Sequence, residues 1–146
     1  MTELKKGVYP PPIKDPYADE HTQPFWDGAL QGRLMGAKCA HCGTVQLQKP
    51  PYCYVCQTRE FAWEELPGAG TIYTFTIVRH PLRPQLAEIV PYVGAIIELD
   101  GTQGAGARIM ANVIDCDPEK IRIGDKVVVT FEKISETLAA PRFRPA

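Results

Sequence analysis

The sequence predicts a mainly β protein, in which an N-terminal helix and a cysteine-rich ribbon precede a small β-barrel of the OB type. Three observations support this fold class. Two C-x-x-C turns are separated by ten residues. The segment 67–70, Pro-Gly-Ala-Gly, then interrupts the pattern. The second half of the chain has several runs in which apolar and polar residues alternate, rich in β-branched and aromatic residues, as expected of short strands.

The four cysteines of the two turns predict a metal site. Cys39 and Cys42 form the first turn, with the permissive Gly43 directly after it, and Cys53 and Cys56 form the second. One C-x-x-C turn would favour a redox motif, whereas two at this spacing are typical of zinc ribbons. Four thiolates complete a tetrahedral site and leave no open position for catalysis, so the predicted ion is structural. We predict zinc, with iron as the alternative because four thiolates accept either ion.

The fifth cysteine and the N-terminal residues indicate whether the protein is in a reducing or an oxidising compartment. Cys116 follows a predicted strand and is expected to be a free buried cysteine, and His41 a partly exposed turn residue. Residues 1–7 have no apolar segment typical of a secretory signal, and no apolar run reaches membrane-spanning length. We therefore expect a cytoplasmic protein without a membrane segment, whose thiols are not in disulfides.

The chain is predicted to have three parts. Residues 1–21, which contain a run of three prolines, form an extended N-terminal arm that is either a disordered tail or a strap over a partner subunit. Residues 22–67 form the helix and the ribbon. Residues 68–146 form the OB-fold barrel with a C-terminal tail.

Within the second part, Thr22 as N-cap and Pro24 in the first turn predict a helix over about 23–35. Phe25 and Trp26 are neighbours and cannot share one helical face, which leaves two interpretations. Packing against the ribbon is the favoured one for either ring alone, and the alternative is that one ring faces another surface. Residues 45–48 and 61–66 alternate like the short strands of a ribbon, and the prolines of 49–52 turn the chain back between them.

The barrel strands are predicted at 71–77, 92–99, 108–114 and 126–134, with 115–124 as a loop or short helix. Four or five short strands have to close on themselves to hide their edges, which favours a small Greek-key barrel. In the first strand Tyr73, Phe75 and Ile77 share one face, so we expect them in the core.

Charge and motif content exclude several function classes. The net charge is −1, and Lys/Arg number seven against eight Asp/Glu in residues 1–67 and nine against nine in 68–146. Neither half has the positive surplus of a general nucleic-acid binder. The sequence has no nucleophile elbow, P-loop or dinucleotide glycine fingerprint, and its three histidines are scattered. We therefore expect a protein without a catalytic centre of its own.

An ordered set of motifs resembles the DUF35 family. They are Pro24-Phe25-Trp26, Gly32-Arg33-Leu34, the four cysteines, Gly68-Ala69-Gly70-Thr71, residues 73–79, Pro91-Tyr92, Glu98-Leu99, residues 123–127 and Phe143-Arg144-Pro145. The resemblance runs from about residue 22 to the end of the sequence. Two features depart from the family pattern: Gln57 stands where relatives often have glycine, and the loop 100–108 is longer than the usual turn.

The resemblance implies a rubredoxin-like zinc ribbon joined to an OB fold. Members of the family accompany thiolases, thiolase-like aldolases and acyl-CoA hydratases as non-catalytic subunits or fused domains, and some contribute to a coenzyme A site. The expected partner is therefore an enzyme subunit that processes acyl-CoA esters.

Coenzyme A would need cationic donors for its phosphates. The candidates are Arg79, His80 and Arg83, where a strand runs into a proline-rich loop, and Arg108 at the start of another strand. Solvated strand-end charges are the alternative reading of these residues. The alternative function is single-stranded nucleic-acid binding, because OB barrels serve it and Tyr73 and Phe75 could stack on bases.

Overall fold

The computed structural model describes residues 19–104 and 106–146. Residues 1–18 lie outside this part, so most of the predicted arm over 1–21 is not described. The order of elements is one helix, three ribbon strands and five barrel strands. The bounds are α1 Gln23–Leu30, β1 Met35–Cys39, β2 Val45–Gln46, β3 Phe61–Glu65, β4 Ala69–Val78, β5 Tyr92–Leu99, β6 Arg108–Val113, β7 Lys126–Lys133 and β8 Ala139–Pro145, with a 3₁₀ turn at Pro84–Leu86.

The helix is shorter than the predicted 23–35, because the chain turns at Gly32. This glycine has φ +73°, and the amide of Arg33 donates to the carbonyl of Gly28 at 2.8 Å. A left-handed residue of this kind is a common end for a helix. Residues 31–34, which the prediction included in the helix, lie outside it, and Met35 begins β1, which pairs with β2 and β3.

The ribbon is a three-stranded antiparallel sheet in the order β2-β1-β3. Strand β1 pairs along its whole length with β3, from Met35 opposite Glu65 to Cys39 opposite Phe61. The end of β1 therefore leads into the first cysteine turn, and β3 begins after the second. This part of the fold agrees with the predicted ribbon, except that β1 was not foreseen.

The second half forms a closed barrel in the order β4-β5-β6-β8-β7, with β7 pairing back onto β4. All pairs are antiparallel except β6 with β8. Strand β8 corrects the prediction of a C-terminal tail, because it pairs with β7 from Val127 opposite Pro145 to Lys133 opposite Ala139. Its sequence, with two prolines and two arginines, lacks the alternation by which the other strands were found.

All five barrel strands contribute to the barrel core, and alternation is most regular in β5. Val93, Ala95, Ile97 and Leu99 of β5 are buried in regular alternation, and Phe143 of β8 is fully buried among them. This is the period-two pattern expected of a strand with one face to the core.

Strand β4 departs from simple alternation. The register of β4 on β5 shifts between Ile72 and Thr74, so Ile72 is buried while the intervening Tyr73 is 50% exposed. A bulge inserts one extra residue and turns the following side chains to the other face. The expectation that Tyr73, Phe75 and Ile77 share a core face is therefore wrong for Tyr73.

Helix α1 joins the two halves by packing on β1 and on β7 and β8. Phe25 is buried and Trp26, half-buried, meets its ring edge-on at 5.0 Å and also packs against the core. Both rings therefore pack on the body, the interpretation favoured for either ring alone, and Trp26 is not left for a separate surface. No helix among the described residues is long and apolar enough to cross a membrane.

An ion pair is buried between β7 and β8. Arg142, 2% exposed, donates from Nε to Glu132 Oε2 at 2.9 Å and from Nη1 to Asn112 Oδ1 at 2.8 Å. Asn112 donates in turn to the carbonyl of Val93 at 3.1 Å. Charges taken out of water need partners of this kind. The network connects four barrel strands, and no sequence pattern indicated it.

Because Phe143 is 0% exposed, truncating it tests whether the C-terminal segment is a barrel strand. We expect Phe143→Ala to lower the free energy of unfolding by about 3–5 kcal/mol, the usual cost of a large cavity in a core. Urea denaturation followed by circular dichroism measures it. The control Ile123→Ala removes a side chain that is 66% exposed and should change stability by less than about 0.5 kcal/mol. Equal stability of the two variants would contradict the barrel position of β8.

Candidate metal centre and charged surfaces

The two cysteine turns bring four sulfur atoms into one cluster. Their Sγ atoms all lie within 4.8 Å of one another. The closest pairs run between the turns, with Cys39 and Cys56 at 3.5 Å and Cys42 and Cys53 at 3.6 Å. A tetrahedron of sulfurs around zinc, with metal–sulfur distances of about 2.3 Å, has edges of about 3.8 Å. The donor set and its spacing therefore fit one tetrahedral ion.

The two turns have the same backbone construction, which explains why each holds two sulfurs on one side. In the first, Gly43 has φ +74° and its amide donates to the carbonyl of Cys39 at 3.0 Å. In the second, Gln57 has φ +66° and its amide donates to the carbonyl of Cys53 at 2.9 Å. Gln57 thus occupies a left-handed position that favours glycine, the residue often found there in relatives.

Backbone amides also point at the sulfurs. The amide of Cys42 lies 3.4 Å from Cys39 Sγ, and the amide of Val55 lies 3.4 Å from Cys53 Sγ. The Thr44 hydroxyl, 3.1 Å from Cys42 Sγ, lowers the pKa of the Cys42 thiol to about 6 by hydrogen bonding. Donors of this kind stabilise the thiolate, which is the form that binds metal.

Cys116 has a different environment. Its Sγ lies 3.6 Å from the carbonyl of Val113, and the residue is half-buried rather than fully buried. Burial raises the pKa of this thiol, and the carboxylates of Asp115 and Asp117 raise it further. A raised pKa disfavours the nucleophilic thiolate, and Cys116 is a free cysteine, as expected. His41 is an exposed residue of the first turn.

The four cationic candidates for an anionic ligand lie at two ends of the barrel. Arg79, His80 and Arg83 are exposed in the loop that follows β4. Arg108 begins β6 opposite Glu98, at the other end of the β4–β5 pair. At about 3.3 Å per residue, the strand between these ends is about 20 Å long. The structure therefore groups three of the candidates and separates the fourth.

The arginines at both ends already have partners in the chain. Arg79 forms an exposed ion pair with Glu119. Arg108 donates to Glu98 Oε2 from Nε and Nη2 at 3.0 and 2.9 Å, and its guanidinium lies 3.8 Å from the centre of the Tyr73 ring. The pairing with Tyr73 follows from the bulge in β4, and the sequence could have indicated it only by placing that bulge.

Sequence comparison identifies the two halves separately. Residues 26–62 match the family model described as "ChsH2, rubredoxin-like zinc ribbon domain", and residues 63–132 match "ChsH2, C-terminal OB-fold domain". A "DUF35 domain-containing scaffold protein" of Methanothermobacter thermautotrophicus is 38% identical over 105 residues, which are 70% of this chain and 74% of the relative. This protein belongs to the DUF35 family.

Two further similar proteins have names that refer to enzymes. The "Ltp2-ChsH2(DUF35) aldolase" contains a chain with a TM-score of 0.76 and 31% identity, aligned over 89% of the present chain and 98% of that chain. A "Probable enoyl-CoA hydratase alpha subunit" of Thermomonospora curvata is 34% identical over 123 residues. Those residues are 84% of the present chain and 37% of the relative, so the chain spans little more than a third of that subunit.

The cysteine cluster makes a direct prediction. Cys53→Ser should reduce the metal content from about one ion per chain to a small fraction and should destabilise the ribbon, because the metal cross-links turns that have little apolar core of their own. Elemental analysis of the purified protein measures the content. Cys116→Ser is the matched control and should keep the full content. A folded wild-type chain without metal would contradict the site.

Proposed function

We propose that this protein is a non-catalytic subunit of an acyl-CoA-processing complex, whose enzymatic partner has a thiolase-like fold. The observation that carries the proposal is the match to the DUF35 chain of an aldolase complex over almost the whole of that chain. The relatives named as scaffold proteins support the non-catalytic role, and the relative named as a hydratase subunit supports an acyl-CoA substrate.

The chemistry of the described residues agrees with an accessory role. Four of the five cysteines converge on one point, and we propose that they hold a structural zinc ion. A site with four thiolates has no position for a substrate, so the ion would stabilise the ribbon and take no part in a reaction. Cytoplasmic conditions suit it, because they keep the thiols reduced.

We propose that the three parts of the chain, residues 1–21, 22–67 and 68–146, have different roles in the complex. The helix and ribbon of residues 22–67 and the barrel of residues 68–146 would together form a rigid adaptor, since α1 packs on both. The arm of residues 1–21 would reach the partner. Several exposed apolar side chains on the second turn and on the barrel are suited to contact with another protein: Tyr52, Tyr54, Val55, Leu82 and Met110.

Contact with the coenzyme A ester is a further part of the proposal. Arg79, His80 and Arg83 lie in one loop and could grip the phosphates of a single nucleotide, whereas Arg108 at the far end would need a different contact. The alternative of single-stranded nucleic-acid binding has the Tyr73–Arg108 stack in its favour. The charge balance of the barrel opposes it, because affinity for nucleic acid depends on neutralising phosphates.

Affinity purification tests the partner. The tagged full-length chain should co-purify from its native host with a thiolase-like or hydratase subunit, identified by mass spectrometry, and should show no thiolytic, aldol or hydratase turnover by itself. Activity should require the partner. Turnover by the isolated chain would contradict the non-catalytic assignment, and recovery of nucleic acid at physiological salt in place of an enzyme would favour the alternative.

Kinetics of the complex test the coenzyme A contact. Arg79→Ala and Arg83→Ala should raise the KM for the acyl-CoA about tenfold with little change in kcat, because loss of binding shared by substrate and transition state appears in KM. The KM of Arg108→Ala tests whether the arginine at the other end of the barrel also contributes to acyl-CoA binding. Glu119→Gln is the control, since it breaks the exposed Arg79 ion pair and keeps the arginine. An unchanged KM in all three arginine variants would contradict the proposed contact with the acyl-CoA but not the accessory role.

A further inference from the structure

One turn of the barrel contacts the cysteine ribbon. Residues 101–104, which we call the barrel turn, lie in the loop between β5 and β6, and Gln103 pairs with Thr44 in a parallel β-bridge. Thr44 directly follows the first cysteine turn, Cys39 to Gly43.

The contact is close on both sides. A Cβ atom added to Gly43 would lie 2.8 Å from Gln103 Oε1, so the Gln103 amide rests directly on the backbone of the cysteine turn. A Cβ atom added to Gly104 would lie 3.6 Å from Thr44 Oγ1. Both glycines have positive φ, at +74° and +71°, a backbone conformation that is strained for most residues with a side chain.

The barrel holds its turn firmly. The Thr102 hydroxyl donates to the carbonyl of Leu99 at 2.9 Å and accepts from the amide of Ala107 at 2.9 Å. The ring of Pro67 lies against Gly101, where an added Cβ would be 2.8 Å away. The turn is therefore anchored to the two ends of the strands that it connects and to the start of the barrel.

On the ribbon side, the barrel turn covers the residue that braces the sulfurs. Thr44 is 4% exposed, and its hydroxyl lies 3.1 Å from Cys42 Sγ. Its carbonyl accepts from the amide of Cys39 at 2.9 Å. Moving Thr44 would therefore displace both sulfurs of the first turn.

The same turn borders the open side of the cluster. A cavity of about 450 Å³ lies beside the first cysteine turn, with Lys38, Cys42 and Gln103 in its wall. A competing ligand from solvent can reach the sulfurs from this side. Gln103 stands in this wall directly against Gly43 of the cysteine turn.

We propose that the barrel turn is a clamp on the metal site, in which Gln103 and Thr102 are positioning residues that keep the first cysteine turn closed and so slow the release of the metal. The clamp makes the lifetime of the ion in the ribbon depend on the barrel. The proposal rests on the metal site proposed above.

Release of zinc from the zinc-loaded full chain to an excess of a chromogenic chelator tests the clamp. Gln103→Ala and Thr102→Val should each speed the release about three- to tenfold, as expected from losing one close contact or one pair of hydrogen bonds. Gln48→Ala is the matched control, an exposed glutamine of the same ribbon, and should release zinc at the wild-type rate. The urea midpoint of each variant separates local opening from general loss of stability.

The outcomes distinguish the two proposals. Faster release from both variants at an unchanged urea midpoint supports the clamp. Wild-type release rates in both variants overturn it and leave the metal site intact, and so does acceleration that only follows a lowered midpoint. A wild-type chain that purifies without metal overturns the metal site and the clamp together.

Discussion

The convergence of four thiols is the constraint on which the N-terminal half depends. The ribbon strands are two to five residues long, too short to bury a core of their own. Two turns with left-handed residues at Gly43 and Gln57 hold the sulfurs at tetrahedral spacing, and amides and the Thr44 hydroxyl favour the thiolate form. An ion bound to all four sulfurs would cross-link the two turns and stabilise the ribbon, as apolar burial stabilises a larger domain.

Barrel closure is the corresponding constraint on the C-terminal half. A five-stranded sheet has two edges, and here β7 removes them by pairing with both β4 and β8. Closure brings a proline-containing segment into the sheet and buries Arg142 with Glu132 and Asn112. These partners offset the cost of taking a charge out of water, so a segment that reads as a solvated tail can occupy a buried position.

The two constraints meet where α1 and the barrel turn join the halves. Helix α1 packs on both the ribbon and the barrel, and the turn at Gln103 contacts the first cysteine turn. A protein built in this way presents surfaces in a defined relation to one another, which is what an adaptor between enzyme subunits requires. The charged loop after β4 and the Tyr73–Arg108 stack lie at opposite ends of one barrel, so they can serve different contacts.

The sequence alone determined the features that depend on local spacing. The cysteine intervals predicted the cluster of four sulfurs, because each C-x-x-C turn sets two sulfur positions within four residues. Period-two patterns located β5 at Tyr92–Leu99 and the bodies of β4, β6 and β7, because each has one face in the core. The ordered motifs indicated the family.

Tertiary structure decided the features that depend on distant partners. Met35–Cys39 became a strand because β2 and β3 lie on either side of it, and its short sequence has no alternation that would predict a strand. Ala139–Pro145 became a strand because barrel closure needed one there. The bulge at Tyr73 and the separation of Arg108 from Arg79 arise from strand register, which no single segment specifies. Local spacing thus determined which sulfurs cluster, whereas pairing across the fold determined which surfaces the protein exposes.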